Sequence, residues 1–165
     1  MTSDPAVSPV ITLRPATAED TAFLLNLFAS TRDEFRMLIA DESQLAALIS
    51  MQFNFQRQQY QSGYPGGEDN IILLNQEPAG RMFIDENDRA ITLVDVALLP
   101  EYRNRGIGRR LLDDLLGHAA SARKPVRLHV MKTNPARNLY QRLGFQDVSE
   151  DSMYYEMICE PRLSQ

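Results

Sequence analysis

"VDVALLPEYRNRGIGRRLLDDL", residues 94–115, decides how the rest of this chain is read. It passes from an apolar strand ending at Pro100, through a bend crowded with Arg103, Arg105, Arg109 and Arg110, into a leucine-rich helix. Gly106 and Gly108 sit where that helix begins. A helix start leaves its first backbone N–H groups without partners, at the positive end of the dipole. Glycine there lets an oxyanion approach the main chain with no Cβ in the way, and phosphate binding is the expected chemistry. The arginines add charge-assisted hydrogen bonds for further phosphates. The whole chain has 17 basic residues and a formal net charge of -5, so this basic patch is local. It suits a small anionic ligand better than nucleic acid, which calls for a broad basic face.

Two nucleotide-binding readings of the bend fail. A Walker A loop needs Lys and then Ser or Thr after its glycines, and here Arg109 and Arg110 follow. A dinucleotide fingerprint needs a third glycine at position 111, which is Leu111, and its glycines directly follow the strand.

Outward from the bend, 165 residues with 44% hydrophobic and 24% charged content predict one folded domain. Residues 1–9, with Pro5 and Pro9, read as a loose leader, and 10–165 as the domain. The polar N-terminus is neither a signal peptide nor a membrane span, so the expected location is the cytoplasm. Cys159 is the single cysteine, and with only His118 and His129 beside it neither a disulfide nor a metal site is expected.

The pattern along the chain alternates strands and helices. "VITLR" (10–14) predicts a strand, and Thr17 with Asp20 a weak capping box. Phe23, Leu24, Leu27 and Phe28 mark one helix; Leu45, Leu48, Ile49 and Phe53 mark a second from about Ser43. "NIILL" and "AGRMFID" flank the turn "NQEP" as a hairpin, and "AITLVDVALL" (90–99) is a long apolar strand. After the bend, Leu111, Leu112, Leu115, Leu116 and Ala119 share one helical face, and "VRLHVM" is a strand. "TNPARNLYQRLG" is a helix capped at Thr133 or Asn134 and stopped by Gly144. "FQDVSE" and "YYEMICE" close as a strand pair. His129 is expected to face the core or a partner, and Met37, Met51, Met82, Met131, Met153 and Met157 to act as filler.

At this point the residues carry a resemblance. "RNRGIG" fits R/Q-x-x-G-x-G/A and resembles the coenzyme A pyrophosphate loop of the GNAT N-acetyltransferase family. "VDVALLPEYRNRGIGRRLLDDL" is similar to that family's strand–loop–helix core, "NPARNLYQRLGF" to its later helix, and "ITLRPATAED" to its opening. The resemblance is strong over residues 89–147. It implies a mixed α/β, mostly antiparallel sheet with a splayed strand pair, flanked by helices. It implies acetyl-CoA as acyl donor and an amine, on a small molecule or a peptide, as acceptor. Pantetheine would pair with the backbone of Val96, Ala97 and Leu98. The pyrophosphate would lie on Arg103, Asn104, Arg105, Gly106, Ile107 and Gly108, with Arg109 close by and Asn134 near the sulfur end. Tyr140 matches the tyrosine that protonates the departing thiolate in many members. A homodimer is compatible with the family; no metal, nucleic acid or membrane is implied.

The physical chemistry agrees with those roles. A tyrosine with an ordinary pKa near 10 stays protonated at neutral pH and can donate. Asp95 interrupts an otherwise apolar strand, where a carboxylate is costly unless paired or solvated by a cleft, and it is the candidate base, acting through water. "STRDEF" (Ser30 to Phe35) and "YQSGYPGG" (Tyr60 to Gly67) are the expected walls of the acceptor pocket. Other readings of the same residues stand beside these. Tyr140 also reads as a core aromatic, Asp95 as the ion-pair partner of Arg81 or Arg89, and Asn134 as a helix cap. The alternative function is an acyl-CoA-binding or sensing module without catalysis.

Overall fold

The computed structural model describes residues 8–163. Of the expected leader, positions 1–7 lie outside the described residues. The strands are β1 (Ile11–Pro15), β2 (Glu68–Leu74), β3 (Glu77–Glu86), β4 (Ile91–Leu98), β5 (Val126–Met131), β6 (Gln146–Glu150) and β7 (Tyr154–Cys159). The helices are α1 (Thr21–Ser30), α2 (Asp33–Leu38), α3 (Glu42–Gly63), α4 (Ile107–Ala122) and α5 (Ala136–Leu143). The strands join into one sheet in the order β1-β2-β3-β4-β5-β7-β6. Every neighbouring pair is antiparallel except β4 and β5, which run parallel across the α4 crossover.

Local chemistry explains most element ends. The β2–β3 hairpin turns on Asn75 and Gln76, both at positive φ (49° and 71°), as a two-residue turn matched to strand twist requires. The Asn75 side chain also accepts from the Val10 N–H at 2.9 Å, fastening the edge strand β1. Asp41 caps α3 by accepting from the Gln44 N–H at 3.0 Å. Gly144 ends α5 in the left-handed region at φ 105°. Arg14 forks onto Asp20 at 2.7 and 2.8 Å, and Asp20 also accepts from the Thr17 N–H at 2.8 Å. Those bonds, led by the Arg14 fork, hold the Asp20 carboxyl down at about 2.

The sheet has a core on each face. On one side α4 presents Ile107, Leu111, Leu112, Leu115 and Ala119, and α5 presents Tyr140 and Leu143, against Ile72, Met82, Ile91, Leu93, Val126 and Leu128. On the other, Leu24, Leu27 and Phe28 of α1 meet Ile49 and Phe53 of α3 over Ile71 and Leu99. Close approach of β3 to β4 depends on Gly80, where a Cβ would stand 2.1 Å from the Ala97 carbonyl oxygen.

Three expectations are corrected. α2 was not anticipated, because its six residues bury none of their side chains and so carry no apolar stripe. His129 does not face the core but is exposed, since β5 alternates with Val126, Leu128 and Val130 inward. Of the methionines, Met82 and Met157 are core, but Met37, Met51, Met131 and Met153 are exposed.

Candidate active site

The register of β4 builds the site. β3 holds β4 on one edge as far as Gly80↔Leu98. On the other edge β5 pairs only with Ile91, Thr92 and Leu93, after which the two strands part. Asp95, Val96, Ala97 and Leu98 therefore lie along an edge that β5 does not cover.

A bulge then sets where Asp95 points. Leu93 pairs with Ile84 but Asp95 pairs with Phe83, so Val94 is the extra residue. Residues two apart normally share a face. Here Leu93 packs in the α4/α5 core, whereas Asp95 is moved to the α1/α3 face beside Phe83 and Arg81. Directly opposed residues share a face across a pair, and Asp69 and Ile71 of β2 continue the same surface.

Arg81 is the centre of that surface. It is 6% exposed and forks onto Asp69 at 2.7 and 3.0 Å. A third nitrogen lies 3.5 Å from the Gln56 side-chain oxygen and 3.8 Å from Asp95. Its guanidinium is stacked 5.3 Å from the Tyr60 ring centre and 5.5 Å from that of Phe83. A cavity of about 260 Å³ opens beside this group, lined by Thr17, Thr21, Arg57, Tyr60, Asp69 and Arg81 among others. Burial raises the Asp95 carboxyl above the ordinary aspartate value, against the opposing pull of Arg81 and Arg32. Burial, and then the charge of Asp95, raise the Tyr60 phenol as well.

Tyr140 reaches the same region from the other face. It is 7% exposed, set edge-on to Phe145 with ring centres 5.7 Å apart. Burial, with Asp95 as the second cause, pushes its phenol up to about 12, so it stays protonated at neutral pH.

The bend after β4 takes the expected form of a helix start. Gly106 is left-handed at φ 81° and Asn104 at φ 59°. Arg110 donates to the Gly106 carbonyl at 3.1 Å, as the first full turn of α4 requires, so the N–H groups before it face out of the helix. A Cβ at either Gly106 or Gly108 would meet nothing within 4 Å, so both glycines border open space.

The arginine side chains make contacts within the protein, Arg103 from a half-buried position and Arg105, Arg109 and Arg110 from exposed ones. Arg103 donates to the Leu98 carbonyl at 2.9 Å and to Ser30 at 3.3 and 3.4 Å, tying the end of α1 to the end of β4. Arg105 donates to the Glu101 carbonyl and lies 5.7 Å from the Tyr102 ring. Arg109 approaches Asp113 at 3.9 Å, and Arg110 donates to the Pro9 carbonyl at 3.4 Å. Asn134 is exposed, and its side chain accepts from the Ala136 N–H at 2.9 Å as a cap for α5.

Of the expected acceptor walls, Tyr60 packs against Arg81, the ion-pair neighbour of Asp95, while Arg32 lies over the Phe28 ring and Asp33 and Glu34 are exposed on α2. Sequence reasoning did not single out Asp69 and Gln56. Their only signal is a carboxylate and an amide on β2 and α3 that face one buried arginine.

A parallel β4–β5 pair that parts around a glycine-started helix is the arrangement of a GNAT acetyltransferase. Residues 68–147, just under half of the chain, match the family model described as an acetyltransferase (GNAT) domain. Among curated proteins it is similar to the ribosomal protein bS18-alanine N-acetyltransferase of Haemophilus influenzae, 35% identical over 65 residues. That match spans 39% of this chain and 44% of the relative's length. Among solved structures it is similar to the PaiA N-acetyltransferase of Thermoplasma acidophilum in complex with coenzyme A. The TM-score is 0.68 at 18% identity, over 92% of this chain and 99% of the other. A spermidine N-acetyltransferase chimera from Vibrio cholerae SpeG and hSSAT aligns with TM-score 0.64 at 19% identity, over 92% and 95%. At these identities the structural likeness speaks to the fold alone.

Proposed function

We propose that this chain transfers an acetyl group from acetyl-CoA directly to a primary amine. The observation that carries the reading is the edge of β4 from Asp95 to Leu98. β5 leaves it bare, it leads straight into the α4 start, and it is flanked by Asp95 on one face and Tyr140 on the other.

The residues fit the donor. The backbone of Val96, Ala97 and Leu98 offers hydrogen-bonding groups along an uncovered strand edge, where an amide-bearing pantetheine arm can pair. Asn104 through Gly108 bring N–H groups of the helix start and two Cβ-free positions to the pyrophosphate, with Arg103 and Arg109 beside them. Asn134 stands at the start of α5. When bound, the thioester supplies the activated acyl group.

The remaining steps belong to the protein. Asp95 takes a proton from the acceptor ammonium, directly or through water, and its raised pKa makes it a stronger base than an ordinary aspartate. The freed amine attacks the thioester carbonyl. Backbone N–H groups of β4 polarise that carbonyl, an effect worth about 3–4 kcal/mol per donor at most. The C–S bond breaks as Tyr140 gives its proton to the departing sulfur, and the second proton lost by the attacking nitrogen returns the phenol to its neutral form through water. Calorimetric titration with acetyl-CoA, with CoA and ATP as controls, followed by thiol release over an amine panel, tests the reading. Micromolar acetyl-CoA binding and amine-dependent thiol release are expected. Absence of both in the folded protein refutes the reading.

A further inference from the structure

One arginine stands between two aspartates in this site, and the strand register puts it there. Phe83 of β3 is directly opposite Asp69 on β2 and Asp95 on β4. Arg81, two residues along β3 on the same face, is opposite Ile71 on one side and Ala97 on the other. Each aspartate is therefore one diagonal step from the guanidinium, at matching places on the two neighbouring strands. Their side chains are about equally open, 28% for Asp69 and 27% for Asp95.

Arg81 nevertheless takes one side. Its Nε and Nη2 lie 2.7 and 3.0 Å from the two oxygens of Asp69, a bidentate fork. Nη1 is 3.8 Å from Asp95, past hydrogen-bond reach, and 3.5 Å from the Gln56 side-chain oxygen. The Tyr60 and Phe83 rings, themselves 5.4 Å apart, bound the guanidinium at 5.3 and 5.5 Å. The trio holds two carboxylates against one guanidinium. The fork offsets the charge of Asp69, so the surplus negative charge rests on Asp95.

We infer that Asp69 is a positioning residue: by holding both fork nitrogens of Arg81 it keeps the guanidinium off Asp95 and leaves that carboxylate open to take the proton of the amine. The inference rests on the acetyl-transfer reading above and names a residue that sets the strength of its base. The other groups whose charge acts with that of Asp95 are Arg32 after α1, Tyr60 on α3 and Tyr140 on α5. Burial holds both phenols above their ordinary value, so they are neutral near pH 7, and Arg32 is the same in every variant below.

The test follows Asp95 itself by NMR titration of the full chain labelled with ¹³C at its aspartate carboxyl carbons, the signal being identified by its loss in Asp95→Asn. Asp69→Asn frees Arg81 to close onto Asp95 and should lower the midpoint by about one pH unit. Arg81→Gln removes the cation and should raise it by about as much. A merely structural ion pair would not send the midpoint in opposite directions when its two members are changed in turn. Asp69→Glu should bring the midpoint back toward the parent. Where a single variant does not melt cooperatively, the double variant Asp69→Asn with Arg81→Gln leaves neither group bare. Its midpoint is expected above the parent, because Arg81 outweighs Asp69 in its action on Asp95; a midpoint at or below the parent overturns the inference. The acid limb of kcat/KM for thiol release, with the amine that turns over fastest, should move with the NMR midpoint. Midpoints that stay, or that both single changes move the same way, overturn the inference and leave acetyl transfer standing. Midpoints that move while the acid limb stays overturn Asp95 as the base, and the role of Asp69 with it. No thiol release with any amine overturns the transfer reading and this role together.

Discussion

Replacing Gly108 with aspartate should move stability and cofactor affinity in opposite directions. A Cβ at Gly108 meets nothing within 4 Å, and its backbone is not left-handed, so a side chain enters without strain. Removing a glycine from helical structure gains about 0.5–1 kcal/mol, less what aspartate gives up to alanine in propensity. A carboxylate in the first turn of α4 gains about 0.3–1 kcal/mol from the helix dipole. A net gain of about 1 kcal/mol raises Tm by about 2–4 °C for a domain of this size. The same carboxylate stands where the pyrophosphate would lie. Two like charges 4 Å apart at an effective dielectric of about 20 repel by about 4 kcal/mol. That is a loss of about a thousandfold in affinity. Scanning calorimetry of the ligand-free variant and titration with acetyl-CoA measure the two quantities. A raised Tm with acetyl-CoA affinity within tenfold of the parent refutes the placement of the pyrophosphate. A lowered Tm refutes the helix-start geometry itself.

Other perturbations separate the roles of neighbouring groups. Tyr140→Phe should lower kcat by about 10²–10⁴-fold with acetyl-CoA affinity kept, as single-turnover rates and titration together report; unchanged turnover assigns the proton to water. Asp95→Asn should erase the rising acid limb of the kcat/KM pH profile, a limb whose midpoint lies above the ordinary aspartate value because burial raises this carboxyl. Gly80→Ala places a Cβ 2.1 Å from the Ala97 carbonyl oxygen and should cost about 1–3 kcal/mol in urea unfolding; no loss of stability would contradict the close β3–β4 approach. Asp20 sits at about 2 in the folded chain against an ordinary 3.8, so its contribution is present above pH 3.8 and lost as pH falls toward 2. The stability of Asp20→Asn should therefore be flatter across that window, measured by urea unfolding at stepped pH.

The parts of this fold legible in the sequence are those fixed by neighbours along the chain. The α4 face from Leu111 to Ala119, the stop at Gly144 and the hairpin turn at Asn75 each follow from a local period or a local backbone demand. The glycine-started helix after β4 is of the same kind. The side-chain partners of the site are not. Asp95 appeared as a carboxylate in an apolar strand, but its face depends on the bulge at Val94, and a strand's alternation does not announce one. Arg103 appeared as one of four arginines at an anion site, yet its guanidinium ties Leu98 to Ser30, 73 positions away along the chain. Asp69 and Gln56 converge on Arg81 only after β2, β3 and α3 are assembled. Local signals mark the backbone of the site, and tertiary contacts decide which side chains serve it.

The same contacts explain why the opening lies where it does. Gly80 lets β3 follow β4 closely down to Leu98, and the Leu99 N–H continues the contact by donating to the Ala79 carbonyl at 2.8 Å. That edge of β4 is therefore satisfied to its end. β5 is committed to β7 along its whole length, from Val126↔Cys159 to Met131↔Tyr154, and keeps only three residues in register with β4. The bare edge from Asp95 to Leu98 thus presents main-chain polar groups inside a sheet whose flanks are apolar cores. Unpaired main-chain groups in such a place are costly unless something pairs with them. A ligand with an extended, amide-bearing arm meets that demand. In the proposed reading, the charged bend at one end of that edge would take the ligand's phosphate end, and Asp95 and Tyr140 would meet its reacting end.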